Sequence, residues 1–315
     1  MPDMEIRPAR AEDASGILEV LAAALGETAL LKRTPELWAW KHEINPFGPS
    51  IVLLACFGDR IAGVRALMRW DLFTDEGHQV RCVRPVDTAT HPDFERRGVF
   101  KALTLEAVEL ARESGIDLIF NTPNARSGAG YLSMGWREVG AIGVLVRPRL
   151  GSVVRPEGDD LPSLDRVAPG AAAFRPIGRP DRPPRGLRTP RTIEYQQWRF
   201  GSHPTARYGS VQDGDGAAVV RVGVRSGRIE LVLSDLLGGA GRHGVSRASA
   251  INRGSYLAGF FSKGSPERSA AVRGGMLPVP GLKTLQLVAM PLSELDIDPF
   301  DLRSWDIATS DLELL

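Results

Sequence analysis

Cysteine is scarce in this 315-residue chain. Cys56 and Cys82 are the whole complement, both in apolar strand-like runs and with no CxxC pair. That excludes a disulfide scaffold and thiolate metal centres, and predicts two buried, reduced thiols in a cytoplasmic protein. Histidine is thin as well: His42, His78, His91, His203 and His243 are scattered, with no pair at metal-ligand spacing, so no metal is expected. No apolar run approaches bilayer length, which argues against a membrane protein. The opening residues are charged and lack an apolar core segment, so no signal peptide is expected. A formal net charge of +1 offers no global field for nucleic acid. GxSxG, HExxH and GK[ST] motifs are all absent, which removes three common routes to hydrolysis and phosphate chemistry.

What is present is a patterned α/β sequence long enough for about two domains. Residues 4–8 read as a strand, and Asp13 as the N-cap of a helix carrying Ile17, Leu18, Val20, Leu21 and Leu25 up to Gly26. A Trp-rich helix over 34–42 ends at Asn45-Pro46. Gly58-Asp59-Arg60 joins two strands as a hairpin, and 80–90 is the next extended segment. Leu103, Ala107, Leu110 and Ala111 make the apolar stripe of a helix over 98–114, stopped by Gly115. Residues 116–120 form an apolar run suited to a strand buried on both faces.

The composition shifts near residue 151, where Arg and Pro dominate with no aromatic beyond Phe174; 151–188 is expected to be a linker. An internal echo follows. Thr34-Pro35 precedes Trp40-Lys41-His42 and Pro46, and Thr189-Pro190 precedes Trp198-Arg199-Phe200 and Pro204, each ahead of a hairpin pattern. This predicts a duplicated unit, with domains at 1–150 and 189–315 around the linker. Gly239 to Gly244 spells GxGxxG, but no acidic residue ends the next strand, so a dinucleotide site fails. A decayed phosphate turn and a plain surface loop stay equally open there.

Residues 87–137 carry the chemistry. Glu95-Arg96-Arg97-Gly98-Val99-Phe100 follows a strand and opens a helix, where unpaired N–H groups and the helix dipole suit a diphosphate. Asn124, Ser127 and Tyr131 then fall as N-x2-S-x3-Y, ending in Gly135-Trp136.

This combination resembles the GNAT superfamily of acyl-CoA-dependent N-acyltransferases, over about residues 4–147. The resemblance implies a mixed, mostly antiparallel sheet with helices on both faces, followed by a second, degenerate GNAT-like half. It implies an N-acetyltransferase that uses acetyl-CoA. The backbone near Thr90 would hold the pantetheine arm, and the amides of Arg96, Arg97, Gly98, Val99, Phe100 and Lys101 the pyrophosphate. Asn124 would help position the cofactor, and Tyr131 would protonate the departing thiolate. Two departures stand out: Glu95 replaces the usual Gln or Arg, and Phe100 replaces a small residue, so its ring must turn into the core.

For the base, Asp87 is narrowly preferred to His91, with deprotonation through water a third route. The acceptor is expected to be a small-molecule or protein amine. Trp38, Trp40 and Trp70 either line its pocket or pack in the core. Two other readings remain: a non-catalytic acyl-CoA-binding or interaction module, and a transferase with an aminoacyl donor.

Overall fold

A computed structural model describes residues 3–27, 32–148, 172–178, 185–225, 228–251, 256–279 and 284–312. The first half runs β1 (Met4–Pro8), α1 (Ala14–Leu25), α2 (Pro35–His42), β2 (Ile51–Phe57), β3 (Arg60–Phe73), β4 (Gln79–Thr90), α3 (Val99–Glu113), β5 (Leu118–Asn121), α4 (Gly128–Ser133), β6 (Arg137–Ile142) and β7 (Val144–Pro148). The second runs β8 (Ala172–Ala173), a short helix at Ile193–Gln196, β9 (Tyr208–Asp213), β10 (Gly216–Arg225) and β11 (Arg228–Leu237). A helix at Arg242–Ile251, β12 (Tyr256–Phe260), a helix at Pro266–Arg273, β13 (Leu277–Pro278) and β14 (Leu285–Pro291) follow.

The strands form two seven-stranded sheets, ordered β1-β2-β3-β4-β5-β14-β6 and β13-β7-β12-β11-β10-β9-β8. The orders correspond: an antiparallel run, one parallel pair, then a strand from the other half of the sequence. β14 lies antiparallel to β5, with Val288 opposite Asn121, and β7 lies antiparallel to β12, with Leu145 opposite Gly259. The chain accordingly divides into two compact units that interleave in sequence. One holds 1–72, 79–139 and 287–300; the other holds 73–78, 140–286 and 301–315. Of the stretch expected as a linker, 151–171 and 179–184 lie outside the described residues. Leu187 and Arg188 are buried in the second unit, where Arg188 exchanges backbone hydrogen bonds with Phe73.

In the first unit α1 packs Ile17, Val20 and Leu21 on one face of the sheet, against Leu54, Val64 and Ala89. α3 packs Val99, Leu103 and Ala107 on the other, against Leu53, Ala55 and Val83. Alternate strand residues thus face opposite helices, the arrangement expected of a sheet covered on both sides. Gly63 of β3 lets the start of α3 settle closely, because a Cβ there would meet Val99 Cγ1 at 2.5 Å.

Asp13 departs from its expected capping role. Arg7 binds its carboxylate through two hydrogen bonds of 2.7 Å, and the Arg10 amide adds a third. A bidentate guanidinium outcompetes a helix amide for one carboxylate. The Arg7 hydrogen bonds hold the Asp13 pKa down to about 2. This stabilisation is complete above the usual carboxylate range, near pH 4, and disappears as pH falls towards 2; its full size is about 2 kcal/mol. Asp13→Asn is expected to lower stability at pH 7 by that amount and flatten the pH 4 to 2 portion of a urea-midpoint profile. An unchanged profile would refute the assignment.

Candidate active site

The first sheet opens along its single parallel pair. β4 meets β5 only where Cys82 lies opposite Leu118 and Val83 opposite Ile119. β4 then continues to Thr90 with no ladder partner on β5, so backbone groups at its end face a wedge. α3 begins just beyond. Gly98 is its N-cap in the left-handed conformation (φ 79°), and no side chain caps the helix start. The first amide of α3 accounted for is that of Ala102, which donates to the Gly98 carbonyl. Space around Gly98 is open, since a Cβ there would touch nothing within 4 Å, and Arg96, Arg97 and Lys101 are exposed around it. These residues fit a diphosphate: unspent donors, a positive helix end and flanking cations. Glu95 pairs with Arg126 at 3.7 Å, both exposed.

Phe100 turns inward as expected. Its half-buried ring meets Tyr131 edge-on at 5.6 Å and joins the core cluster under α3. Tyr131 is itself buried, with Trp136 against its other side at 5.1 Å. Its hydroxyl accepts a 2.6 Å hydrogen bond from Arg65 Nη1, a contact the sequence did not disclose. Asn124 is exposed, and its Oδ1 accepts from the amides of Arg126 and Ser127, both at 3.0 Å, so that oxygen turns the chain into α4.

Asp87 occupies the unpaired part of β4 and adopts φ 44°, unusual for a residue with a side chain. Its buried carboxylate contacts Arg33 at 3.1 Å, Lys41 at 3.0 Å and His42 Nε2 at 3.1 Å. Burial alone would raise its pKa, but Lys41 and His42 outweigh burial and hold the group far below the carboxylate range. A carboxylate so strongly held accepts a proton poorly. Burial holds His42 below its own usual value, and its Nδ1 lies 2.9 Å from Ser50 Oγ. His91 stays on the loop after β4, with Nδ1 accepting from the Asp93 amide at 3.2 Å. Trp40 and Trp70 are core residues at 1% and 0% exposure, whereas Trp38 lines a cavity of about 510 Å³ with His42, Ser50 and Arg10.

Residues 5–139 match the sequence profile of a family described as "Acetyltransferase (GNAT) domain". Over this stretch the chain is similar to a GNAT acetyltransferase domain. No curated protein matches it. Solved structures similar in fold include a GCN5-related N-acetyltransferase from Anabaena variabilis (TM-score 0.62, 11% identity, covering 92% of this chain and 73% of that one). Eis1 from Mycobacterium abscessus gives 0.57 at 14% identity, covering 92% and 74%. A putative acetyltransferase from Pyrococcus horikoshii gives 0.51 at 15%, covering 99% and 95%.

The second unit has a comparable strand order with different contents. Thr34 caps α2 through a 3.2 Å bond from the Leu37 amide, and Thr192 caps the Ile193–Gln196 helix from Tyr195 at 3.1 Å; a buried Trp follows each cap by six residues. The capping threonine here is Thr192, three residues after the Thr189 of the sequence echo. Arg33 reaches Asp87 on β4, and Arg191 reaches Asp235 on β11 at 2.7 Å. The glycine turn after β11 is occupied, because Asp213 accepts from the amides of Gly241 and Gly244 at 2.7 and 2.9 Å. The parting of β11 from β12 is occupied as well. Thr309 Oγ1 accepts from the Phe260 amide at 2.7 Å, and Ser310 Oγ donates to Asp235 at 2.6 Å.

Asp87→Asn would leave Lys41 and Arg33 buried without their carboxylate. A loss of about 3–5 kcal/mol is expected from breaking a buried pair on one side, read from urea unfolding. An unchanged midpoint would refute the anchoring role.

Proposed function

We propose that the chain is an acetyl-CoA-dependent N-acetyltransferase acting on an amine by direct attack in a ternary complex. The observation that carries this reading is the uncapped start of α3 standing just past the wedge between β4 and β5. Amides of residues 96–101 hold the pyrophosphate, helped by Arg96, Arg97 and Lys101. The backbone at the end of β4, to Thr90, holds the pantetheine arm and polarises the thioester carbonyl. Tyr131 passes its proton to sulfur, and Asn124 shapes the turn leading to it. Most of the rate comes from holding two reactants in line.

Asp87 serves this site as a charge anchor and bend in β4, which favours loss of the amine proton through water. Its saturation by Arg33, Lys41 and His42 is also the observation that favours a non-catalytic acyl-CoA-binding module as the second reading. We further propose that the two units are tandem GNAT-like domains with one working site. In the second, Asp213 stands where phosphate would bind, and residues 308–310 stand where pantetheine would.

Calorimetric titration with acetyl-CoA is expected to give one site per chain, weakened by Arg97→Ala and by Gly98→Val. Two sites would restore the turn at 239–244 as a cofactor site, and no binding at millimolar acetyl-CoA would sink the proposal. With hydroxylamine as a probe acceptor, Tyr131→Phe is expected to lower thiol release about 10²-fold with acetyl-CoA affinity retained. Unchanged release would remove Tyr131 from the reaction.

A further inference from the structure

Arg65 sits in the middle of β3 at 1% exposure, beneath α3. Among the described residues, no carboxylate lies within ion-pairing distance of it. Its guanidinium donates to two hydroxyl oxygens, Tyr131 through Nη1 and Thr104 through Nη2, and Nε has no partner. The rings of Phe100 and Tyr131 pack against it, with centroids at 4.9 and 5.4 Å. Taking a cation out of water costs several kcal/mol, and two hydroxyls and two rings offset that only in part. Stability alone favours an apolar residue here, as at Val64 and Ala66 on either side.

The two hydroxyls differ in one respect. Thr104 donates its own proton to the Phe100 carbonyl at 2.6 Å. Tyr131 accepts from Arg65 and, among the described residues, donates to nothing. Its proton is thus directed away from the guanidinium and is available. Trp136, whose ring lies against that of Tyr131, also carries a buried Nε1 without an acceptor among the described residues. A buried cation that already donates to the phenol oxygen is prepared for negative charge there.

We infer that Arg65 is a positioning residue for thiol release, fixing the orientation of Tyr131 and stabilising the phenolate left when its proton departs. The inference rests on the transferase reading above. In the step, the amine nitrogen bonds to the thioester carbonyl carbon and the C–S bond breaks, with sulfur keeping the electron pair. The Tyr131 O–H bond breaks, its proton passes to sulfur, and the phenolate is held by the Arg65 N–H. The surplus proton of the amine leaves through solvent, from which Tyr131 regains one. A phenolate facing a guanidinium gains a charge-assisted hydrogen bond stronger than the neutral phenol had, so the contact favours the transition state over the ground state.

The test is a double-mutant cycle on the full chain, reading thiol release from acetyl-CoA with hydroxylamine as acceptor. Arg65→Met and Tyr131→Phe should each lower kcat about 10²-fold with KM for acetyl-CoA little changed. The double variant should be no slower than Tyr131→Phe alone, because Arg65 acts through that hydroxyl. Arg65→Lys should recover part of the loss. Should Arg65→Met fail to fold, the same cycle is run with Arg65→Lys. Additive losses, a change confined to KM, or unaltered kcat in the arginine variants would overturn the assignment alone. A wild-type chain that binds acetyl-CoA calorimetrically but releases no thiol would overturn the transferase reading and this inference with it.

Discussion

The first unit depends on a buried carboxylate placed where a strand leaves its neighbour. Asp87 adopts a left-handed backbone that costs about 1–2 kcal/mol for an ordinary L-residue, and Arg33, Lys41 and His42 converge on it from α2 and the residue before its cap. The cluster ties α2 to β4 on one face of the sheet, while Gly63 brings α3 down on the other. Between them β4 is bent and covered yet unpaired at its edge. The stretch of β4 that has left β5 is therefore held in place by the ion pairs to Asp87.

The two units show how one frame is kept open or closed. Both place a helix after a strand that has parted from its parallel neighbour, and both present amide groups at the turn. In the first unit no side chain among the described residues caps the helix; in the second the Asp213 carboxylate meets the amides, and residues near the end of the described chain complete the parted strands. The substitutes are an anion at the amides and a hydroxyl acceptor along the strand. A helix N-terminus thus counts as a site only when nothing in the fold has already met its donors.

Local patterning made much of this legible. The stripe of α3, the hairpin at Gly58 and the buried character of β5 follow from periodicities of 3.6 and 2, and the inward turn of Phe100 follows from its place at the helix start. What stayed hidden depends on partners remote in sequence. Nothing around Leu285 to Pro291 announces that it pairs with β5, because a strand's pattern fixes its faces but not its neighbour. Asp87 was readable as a carboxylate near the cleft, but the three groups that depress its basicity lie far back, at 33, 41 and 42. Arg65 left one faint signal, a cation in the otherwise apolar run Ile61 to Met68. The echo matched two buried tryptophans, Trp40 and Trp198, but Thr192 rather than Thr189 caps the second helix, since Thr-Pro is only one way to begin a helix.

The exchange of β7 and β14 imposes an order of events on synthesis. When β5 and β6 leave the ribosome, the strand that will separate them has not been made, and the edge at Asn121 stays open until Val288 arrives. Open edges recruit other strands, so the nascent chain carries an association-prone edge from the synthesis of β5 until that of β14. A slow stretch of elongation in the second half prolongs that exposure, and a chaperone that covers sheet edges shortens it. For this fold, yield in the cell depends on the timing of one late strand as well as on final stability.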